Sequence, residues 1–393
     1  MAPTSHHQEQ RQHTDLPAPP PPPGVTNLGD MQYSKKDRVA VIGSGNWGSV
    51  AAKLVAENAL IYPHYYDEVR MWVYEEILPS GQKLTDVINA THENVKYLPN
   101  IKLGLNVVAD PDLHNAVKDA TMLIFVTPHQ FVDGICKRLQ GKVRQDAKAI
   151  SLIKGMEVKK EGPCMISTLI TEVLGIECSV LMGANIANEI AQEKFSEATV
   201  GYRDEKKVAD KWVQVFSKSY FQITPVKDVE GVELCGTLKN VVAIAAGLVD
   251  GLQMGNNTKA AIMRIGLREM RVFSKLIFPS VRDSTFFESC GVADVITTCL
   301  GGRNRKVAEA FAKHEGKRSF DELEAELLQG QKLQGVSTAA ELFEVLKARK
   351  WEDQFPLFTT VHRIATGELP PSAVVEYSEH APSMVVEGAA QYY

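Results

Sequence analysis

The chain has 393 residues and a formal net charge of −5, with 44% hydrophobic and 23% charged residues. This length allows two or three domains, and the composition is typical of globular proteins. A mildly acidic chain lacks the clustered basic surface of most nucleic-acid-binding proteins, so we expect no nucleic-acid partner. The six cysteines form no C-x-x-C pair and no zinc spacing, which predicts reduced thiols and no metal site.

Residues 1–35 differ in composition from the rest of the chain. They contain the run LPAPPPPPG and few large apolar residues, so they cannot bury enough surface to offset their conformational entropy. We predict a disordered, Pro-rich tail. It has neither the apolar region of a secretory signal nor the Arg-rich pattern of a transit peptide. The longest apolar run, 241–249, is shorter than the roughly 20 residues of a bilayer span. We therefore expect a cytoplasmic protein without a membrane span.

Residues 36–227 alternate between apolar, strand-like runs and helix-like segments. Six runs are continuously apolar, as in a parallel sheet that is buried on both faces. They are RVAVIG, EVRMWVYEE, LNVVAD, TMLIFVTP, KAISLIKG and CSVLMGANIA. Two later runs, EATVGYRD and YFQITPV, are expected to complete the sheet. The order predicts an α/β fold with a Rossmann-like, doubly wound, mostly parallel sheet.

Residues 228–370 show helical patterns only. VELCGTLKNVVAIAAGLVDGL is apolar nearly all round, which predicts a buried helix. Four further helical segments follow it: NTKAAIMRIGLREMRVFSKLIF, RKVAEAFAKHEG, FDELEAELLQ and TAAELFEVLKARK. We predict an all-α C-terminal domain over 228–370 that binds the substrate. Residues 371–393 have no strong period and are expected to form a partly ordered tail.

The first predicted strand ends in three glycines with the spacing G-x-G-x-x-G. Gly43 permits a tight turn, Gly45 lets the backbone approach a pyrophosphate, and Gly48 lets the helix pack closely on the strand. The N-terminus of the following helix offers free amides to an anion. Because the loop follows a strand and opens a helix, we predict a dinucleotide site; a tight turn without a ligand is the alternative.

The second predicted strand ends in Tyr74, Glu75 and Glu76. An acidic residue at that edge would accept hydrogen bonds from ribose hydroxyls and repel a 2′-phosphate, which favours NAD over NADP. The inserted segment LIYPHYYDE makes the spacing from the glycine loop longer than the usual ~20 residues. Both Glu75 and an aromatic contact from Tyr74 therefore remain candidates for the adenosine side, and a solvated strand end is the alternative for the glutamates.

Two lysines follow or interrupt apolar segments. Lys154 follows the strand AISLI at its carboxyl end, where open α/β sheets bind ligands. Lys239 lies within the apolar helix CGTLKNVVAIAAG. Burial beside a second cation would lower a lysine pKa from about 10.4 toward the roughly 7–8 that suits proton transfer. We predict an acid–base role for Lys239 with Lys154 as the second charge; the alternative is a lysine whose head group extends into water.

The segment GVADVITTCLGGRNRKVAEAF predicts an anion site. Two glycines interrupt the chain just before a helix that starts near Asn304, so Arg303 lies beside a helix N-terminus. A guanidinium and free amides together suit a phosphate, although a glycine C-cap beside a surface arginine would give the same pattern. If the upstream residues are helical, Asp294 and Thr298 share one face. No His is near Cys299 in the sequence, and we interpret this thiol as buried and inert.

These elements combine into one chemistry. The first domain holds NAD, and the helical domain supplies a lysine and an anion site. Hydride transfer to a ketone requires a proton for the resulting alkoxide, which a general acid can supply. The implied substrate is a small phosphorylated ketone.

Nine ordered motifs between about residues 38 and 370 resemble the cytosolic, eukaryotic-type NAD-dependent glycerol-3-phosphate dehydrogenases. They are GSGNWGS, NVKYLP, PHQF, SLIKG, MGANIA, LKNVVAIAAG, GVADVITTC, GGRNRKVAEAF and GQKLQG. The resemblance implies reversible reduction of dihydroxyacetone phosphate by NADH to sn-glycerol 3-phosphate, in glycerolipid precursor metabolism and cytosolic redox balance. It also implies a homodimer.

The resemblance implies roles for individual positions. Lys239 corresponds to the proton-transfer lysine, and Lys154 corresponds to a lysine that contacts substrate and lies near the cofactor. The catalytic and substrate pocket would further contain Asn240, Asp294, Thr298, Arg303 and Asn304, with Arg303 also near the cofactor. The nucleotide contacts would come from Gly43, Ser44, Gly45, Asn46, Trp47, Gly48, Tyr74, Phe131, Ala187, Lys332 and Gln334. Tyr74 stands where the family often has Phe.

Two other classes remain as alternatives. The related 6-phosphogluconate and hydroxyacyl-CoA dehydrogenases also place helices after an NAD domain, but GGRNRK directly after ITTC argues against them. A non-catalytic NAD sensor on the same fold would show a disrupted lysine or anion loop, and both are intact.

Overall fold

The computed structural model describes residues 36–159, 162–328 and 333–379. The predicted tail 1–35, the end of the chain at 380–393 and Lys332 lie outside these ranges. The described secondary structure alternates strands and helices up to residue 226 and is helical after it.

An eight-stranded sheet organises the first half. Its strands are short and mostly buried, with many β-branched residues that suit a covered sheet. They are β1 (Val39–Ile42), β2 (Val69–Trp72), β3 (Val107–Asp110), β4 (Met122–Phe125), β5 (Lys148–Ser151), β8 (Cys178–Met182), β9 (Ser196–Gly201) and β10 (Phe221–Val226). A separate antiparallel pair, β6 (Met156–Lys159) and β7 (Gly162–Met165), lies between β5 and β8 in the chain.

The strand order is β10-β9-β8-β5-β4-β1-β2-β3. The strands from β3 to β8 in this order are parallel, while β9 pairs antiparallel with β8 and β10 pairs parallel with β9. The chain passes outward from β1 through β2 to β3, then returns to β4 on the other side of β1. Ligands of such sheets bind at the carboxyl ends of the strands beside this switch point.

Helices connect most of these strands. They are α1 (Asn46–Ile61), α2 (Leu84–Thr91), α3 (Leu113–Ala116), α4 (Val132–Leu139), α5 (Ile166–Leu174), α6 (Ala187–Ala191) and α7 (Lys206–Phe216). Two buried clusters of apolar side chains cover the two faces of the sheet. One contains Val39 and Val41, and the other contains Ala40 and Ile42. Alternate residues of β1 therefore face opposite layers, as the continuously apolar runs predict.

The second half is a helical assembly around one central helix. It contains α8 (Val229–Gly251), α9 (Gly255–Ile277), α10 (Asp294–Gly301), α11 (Arg303–Lys313), α12 (Phe320–Leu327), α13 (Gly335–Arg349) and α14 (Pro356–Ala365). Residues 371–379, the described part of the predicted C-terminal tail, form a 3₁₀ helix in which Val374 is fully buried.

Helix α8 is enclosed on all sides. It packs against α9, α10, α11, α13 and α14 and against β8 and β9 of the sheet. By length and hydropathy it could cross a membrane, but its most apolar stretch is wholly buried inside the protein. Asp228 fixes its start, because Oδ1 accepts from the Gly231 N–H at 2.9 Å and Oδ2 accepts from the Thr285 hydroxyl at 2.6 Å.

The sequence predictions omitted several elements of this fold. Helices α2, α6 and α14 were not predicted, and neither was the β6–β7 pair. Glu269 of α9 caps the start of α14, where it accepts from the Leu357 and Phe358 N–H groups at 2.8 and 3.0 Å. This cap comes from a residue 88 positions away, so local patterns cannot reveal it.

Candidate functional site

The glycine loop after β1 is tight at two positions and open at one. A Cβ on Gly43, whose φ is +122°, would lie 2.8 Å from the Val126 carbonyl oxygen. A Cβ on Gly48 would lie 2.2 Å from the Gly43 carbonyl oxygen. A Cβ on Gly45 would have no atom within 4 Å. The three glycines therefore divide the tasks of turning, packing and leaving space as the spacing predicts.

Helix α1 begins directly beside this space. Its N-cap residue is Gly45, no side chain caps it, and no acidic residue lies in its first turn. The free N–H groups and the positive end of the helix dipole therefore lie beside the open space at Gly45, which no side chain fills. These features fit the pyrophosphate of NAD.

Other polar side chains hold the glycine loop in place. Asn94 is fully buried, and its amide nitrogen donates to the Ser44 carbonyl oxygen at 2.8 Å and to Ser49 Oγ at 2.9 Å. The Asn46 amide nitrogen donates to the Tyr97 carbonyl oxygen and to Asn188 Oδ1, each at 2.8 Å. The Asn46 amide thus braces the loop, and its bond to Asn188 brings α6, which begins at Ala187, beside the start of α1.

The remaining predicted loop residue, Trp47, packs inward. Its ring lies 6.3 Å from the ring of Phe221 on β10, measured between centroids. The Trp47 side chain is only partly buried, and Ser44 is buried. The loop therefore offers a nucleotide mainly its backbone N–H groups.

The end of β2 carries both candidates that the sequence left open for the adenosine side. Glu75 accepts hydrogen bonds from the Thr85 N–H at 3.2 Å and the Thr85 hydroxyl at 2.5 Å, at the start of α2. Glu76 pairs with Lys96 and accepts from the Tyr97 hydroxyl at 2.6 Å. Both carboxylates hold neighbouring segments, whereas the Tyr74 side chain is 73% exposed. The geometry favours Tyr74 for an adenosine contact.

The loops after β4 and β5 meet at the same edge of the sheet. Phe131 ends a 3₁₀ turn after β4 and is 56% exposed. Gly155 follows β5 with φ +134°, and a Cβ there would lie 3.1 Å from the His129 ring. Lys154 directly precedes this glycine, three residues after the end of β5, and its side chain is partly buried. Lys154 is therefore placed beside the nucleotide loops by the order of the strands.

Lys239 and Asp294 form a buried ion pair. Lys239 is 5% exposed on α8, and Asp294 is 2% exposed at the first position of α10. Burial, followed by the neighbouring Lys239 charge, lowers the pKa of Lys154 to about 7, and Asp294 opposes this shift. The two predicted lysines thus share one cluster with a carboxylate.

A π-helical turn, Ser289–Ala293, leads directly into Asp294. Its first residue is tied to the sheet, because the Ser289 hydroxyl donates to the Glu197 carbonyl oxygen at 2.9 Å and accepts from the Ala184 N–H at 3.2 Å. Turns of this kind are frequent at functional sites. The turn fixes the carboxylate of the lysine cluster relative to β9 and the loop after β8.

The predicted substrate residues surround this cluster. As predicted for a helical segment, Asp294 and Thr298 lie one turn apart on α10; the structure shows that both are buried. The Asn304 amide nitrogen donates to Asn240 Oδ1 at 3.0 Å, and Asn304 Oδ1 accepts from the Gly335 N–H at 2.8 Å. The second bond holds the start of α13 against Asn304. Gln334, a predicted nucleotide contact, is the N-cap residue of α13 and directly precedes Gly335.

Two buried polar atoms of the cluster have no partner within the described residues. They are Asp294 Oδ2 and Asn240 Nδ2. Buried polar groups are normally hydrogen-bonded, so such atoms suit a bound polar molecule. A hydroxylated substrate could bond to both.

Arg303 is the first residue of α11. Its side chain is exposed, and Gly302 occupies the N-cap position without a side-chain cap. Arg303 therefore lies at a helix N-terminus without a side-chain cap, a position that suits a phosphate. Arg303 also contributes to the charge that surrounds Lys154. Neighbouring Cys299 is fully buried, and burial raises its pKa to about 12, as expected of an inert thiol. Within the described ranges, no group of three or more His, Cys, Asp or Glu residues could hold a metal ion.

Sequence reasoning missed the residues that support the site. Asn94 is the first residue of the quoted NVKYLP motif, yet nothing local shows that its amide reaches the glycine loop. Thr237 and Glu233 lie on the predicted helix α8, where their apolar neighbours suggest only core packing. Their partners come from other parts of the chain, the Gly155 N–H for Thr237 and Ser167 for Glu233.

Comparisons with known proteins agree with this geometry. Residues 38–208 match the NAD-dependent glycerol-3-phosphate dehydrogenase N-terminus, and residues 228–376 match the C-terminus of the same family. The chain is 75% identical to the chloroplastic glycerol-3-phosphate dehydrogenase [NAD(+)] 1 of Arabidopsis thaliana, over 90% of this chain and 88% of that protein. It is 52% identical to the cytoplasmic enzyme of Drosophila melanogaster, over 88% of this chain and 95% of that protein.

A solved structure shows the same architecture. The glycerol-3-phosphate dehydrogenase of Saccharomyces cerevisiae is 46% identical, with a TM-score of 0.82 over 88% of this chain and 100% of that one. This similarity confirms the predicted mostly parallel sheet followed by a helical domain. With an NAD-binding sheet, a lysine cluster and both halves of the family matched, the chain belongs to the NAD-dependent glycerol-3-phosphate dehydrogenases.

Proposed function

We propose that this NAD-dependent enzyme interconverts dihydroxyacetone phosphate and sn-glycerol 3-phosphate, with a buried lysine pair as the acid and base. The observation that carries this proposal is the cluster of Lys154, Lys239 and Asp294 between the nucleotide loops and Arg303. In the family, the substrate is a small phosphorylated triose. We propose roles in glycerolipid precursor supply and redox balance on the same basis.

The glycine loop and α1 would hold the nucleotide. The open space at Gly45 and the uncapped amides suit the pyrophosphate, and exposed Tyr74 suits the adenosine side. The exposed Phe131 ring, Ala187 at the start of α6, and Lys332 and Gln334 are proposed as further contacts. NAD, when bound in its reduced form, supplies the hydride for the ketone carbon.

Lys239 would give the proton that the reduced substrate oxygen requires. Asp294 holds the Lys239 ammonium in place, and the charges of both groups act on Lys154. With both lysines protonated the three groups carry one net positive charge, which attracts an anionic substrate and stabilises negative charge on the carbonyl oxygen. In the oxidation direction, the cluster would start with one proton fewer and accept the proton from the substrate hydroxyl.

Arg303 and the start of α11 would hold the phosphate, while Asn240, Asn304 and Thr298 would orient the triose. The unpartnered Asn240 amide can donate to a substrate oxygen. A charge-assisted contact to phosphate is worth about 1.5–3 kcal/mol. This arrangement places the proton donor and the anion site on three helices that pack together, α8, α10 and α11.

The test is direct. Purified protein with NADH and dihydroxyacetone phosphate should consume NADH at 340 nm, and unphosphorylated dihydroxyacetone should be a poor substrate. Consumption only with another ketone would favour the related dehydrogenases. Tight NADH binding without consumption of any substrate would favour a sensor.

Two further proposals concern the assembly and the compartment. We propose a homodimer, as the family resemblance implies, and sedimentation of the purified chain at micromolar concentration tests it. We propose a cytoplasmic location, supported by the cytoplasmic Drosophila relative and by the scarcity of arginine in residues 1–35. The Arabidopsis relative is named as chloroplastic. A fluorescent fusion of the full chain in leaf cells distinguishes the two compartments.

A further inference from the structure

A hydrogen bond joins the loop after β5 to the central helix α8. The Gly155 N–H donates to Thr237 Oγ1 at 3.1 Å, and Thr237 is fully buried. The Thr237 hydroxyl lies 3.0 Å from the Glu233 carbonyl oxygen on its own helix and 3.4 Å from the Gly155 carbonyl oxygen. The Thr237 hydroxyl can therefore donate its hydrogen to either of these carbonyl oxygens while its oxygen accepts from the Gly155 N–H.

This bond fixes the backbone that carries Lys154. On its N-terminal side, the Ile153 N–H donates to Ser151 Oγ at 3.2 Å. On its C-terminal side, Gly155 has φ +134°, and the His129 ring leaves no room for a Cβ. Lys154 thus lies between two backbone amides that side chains hold, and the one on the C-terminal side belongs to α8.

The same helix carries Lys239, two residues after Thr237. The groups whose charges act on Lys154 are Lys239, Asp294 and Arg303. The first is on α8 and the others are at the starts of α10 and α11. The hydrogen bond from Gly155 to Thr237 therefore joins the loop after β5 to α8. It lies one residue from Lys154 on the loop and two residues from Lys239 on the helix.

We propose that Thr237 is a positioning residue: its hydroxyl holds the Lys154 backbone against α8 and so fixes the distance between the Lys154 and Lys239 ammonium groups. This inference rests on the proposed lysine acid–base function. Thr237 itself touches neither lysine head group in any hydrogen bond of the structure, so its effect on the reaction is indirect.

Loss of the hydroxyl has a defined physical consequence. The Gly155 N–H would be buried without an acceptor, which costs about 1–3 kcal/mol and favours movement of the loop toward water. Lys154 would then be better hydrated and farther from Lys239. Both changes favour the protonated form, so the pKa of Lys154 would rise from about 7 toward its ordinary value.

The experiment compares Thr237→Val and Thr237→Ala, which lack the hydroxyl, with Thr237→Ser, which keeps it. Valine preserves the branched shape, and alanine preserves helix propensity if valine impairs folding. The measurements are kcat, kcat/KM for dihydroxyacetone phosphate reduction against pH, the Kd of NADH, and the melting temperature. A parallel titration of ¹³C-labelled lysine side chains by NMR, with Lys154→Arg to assign the signal, follows Lys154 without turnover.

In both hydroxyl-free variants we expect the pH at which kcat/KM is half lost to rise by about one unit, the effect of roughly 1.4 kcal/mol, because Lys154 would keep its proton to higher pH. The Kd of NADH should stay within twofold, and Thr237→Ser should behave as the unmodified enzyme. Wild-type pH midpoints and an unshifted Lys154 signal in folded Val or Ala variants would overturn the proposal. If the Lys154 signal shifts but the unmodified protein does not reduce dihydroxyacetone phosphate, the proposed function fails while the positioning role stands.

Discussion

The glycine loop after β1 and the lysine cluster beside α8 handle charge in opposite ways. The loop offers backbone N–H groups to an anion. Gly43, Gly45 and Gly48 suit this task because they have no side chain. The cluster consists of long, charged side chains from three segments, with Lys239 and Asp294 almost completely buried. A backbone site is sensitive to an added carbon atom, whereas a side-chain site is sensitive to a removed charge. Substitutions should therefore affect binding in the first region and turnover in the second.

The largest effect is expected from Lys239→Met. A general acid contributes about 10²–10⁴-fold to a rate, so kcat should fall by that factor while the Kd of NADH is unchanged. Steady-state rates and NADH fluorescence titration measure the two quantities. Removal of one partner of a buried ion pair also costs about 3–5 kcal/mol of stability. The double variant Lys239→Met/Asp294→Asn removes the uncompensated charge and should melt at a higher temperature without regaining activity.

Exposed Lys306 on α11 provides the matched control for that substitution. Lys306→Met should keep the unmodified kcat. A Lys239→Met enzyme with more than a tenth of the original kcat would remove this lysine from its proposed role and with it the contrast between the two regions.

The next largest effect concerns the phosphate. Arg303→Ala should lower kcat/KM for dihydroxyacetone phosphate by about 10–100-fold, because a hydrogen bond to a charged group is worth about 1.5–3 kcal/mol. The rate with unphosphorylated dihydroxyacetone should change little. Arg318→Ala, which removes an exposed pair with Glu326, serves as a control. Equal losses for both substrates would show that Arg303 does not recognise the phosphate.

A pair of glycine variants tests the backbone region itself. Gly45→Ala adds a Cβ that contacts no protein atom, so the melting temperature should be kept while NADH binds about tenfold more weakly. Gly48→Ala adds a Cβ 2.2 Å from the Gly43 carbonyl oxygen, so the free energy of unfolding should fall by about 1–3 kcal/mol. Thermal melting and NADH titration separate the two. Normal NADH affinity in Gly45→Ala would place the pyrophosphate elsewhere.

The smallest effect should come from the end of β2. Tyr74→Ala should weaken NADH by about 2–10-fold, the range of an aromatic contact worth ~0.5–1.5 kcal/mol, and Tyr74→Phe should be neutral. Glu75→Gln should leave the Kd of NADH within twofold, because Glu75 is bonded to Thr85. A larger effect on NADH binding from Glu75→Gln than from Tyr74→Ala would reverse this assignment.

Sequence reasoning succeeded where a function has a local pattern. The glycine spacing, the apolar strands and the i, i+4 pair Asp294 and Thr298 are all visible within a short window, and the structure confirms their geometry. The bond between Gly155 and Thr237 spans 82 positions and the Lys239–Asp294 pair spans 55, so their geometry depends on the packing of distant segments. The sequence marked both lysines as unusual but could not show that Asp294 is the carboxylate that pairs with Lys239.

The enclosure of α8 has a consequence for how the protein is made. The helices that cover it, α9, α10, α11, α13 and α14, all follow it in the chain. A ribosome therefore releases this long apolar helix before any of these covering helices has been synthesised. Nascent chains that end between residues 251 and 356 carry an unprotected, bilayer-like surface, which makes this interval the stage of biogenesis at which chaperone binding matters most.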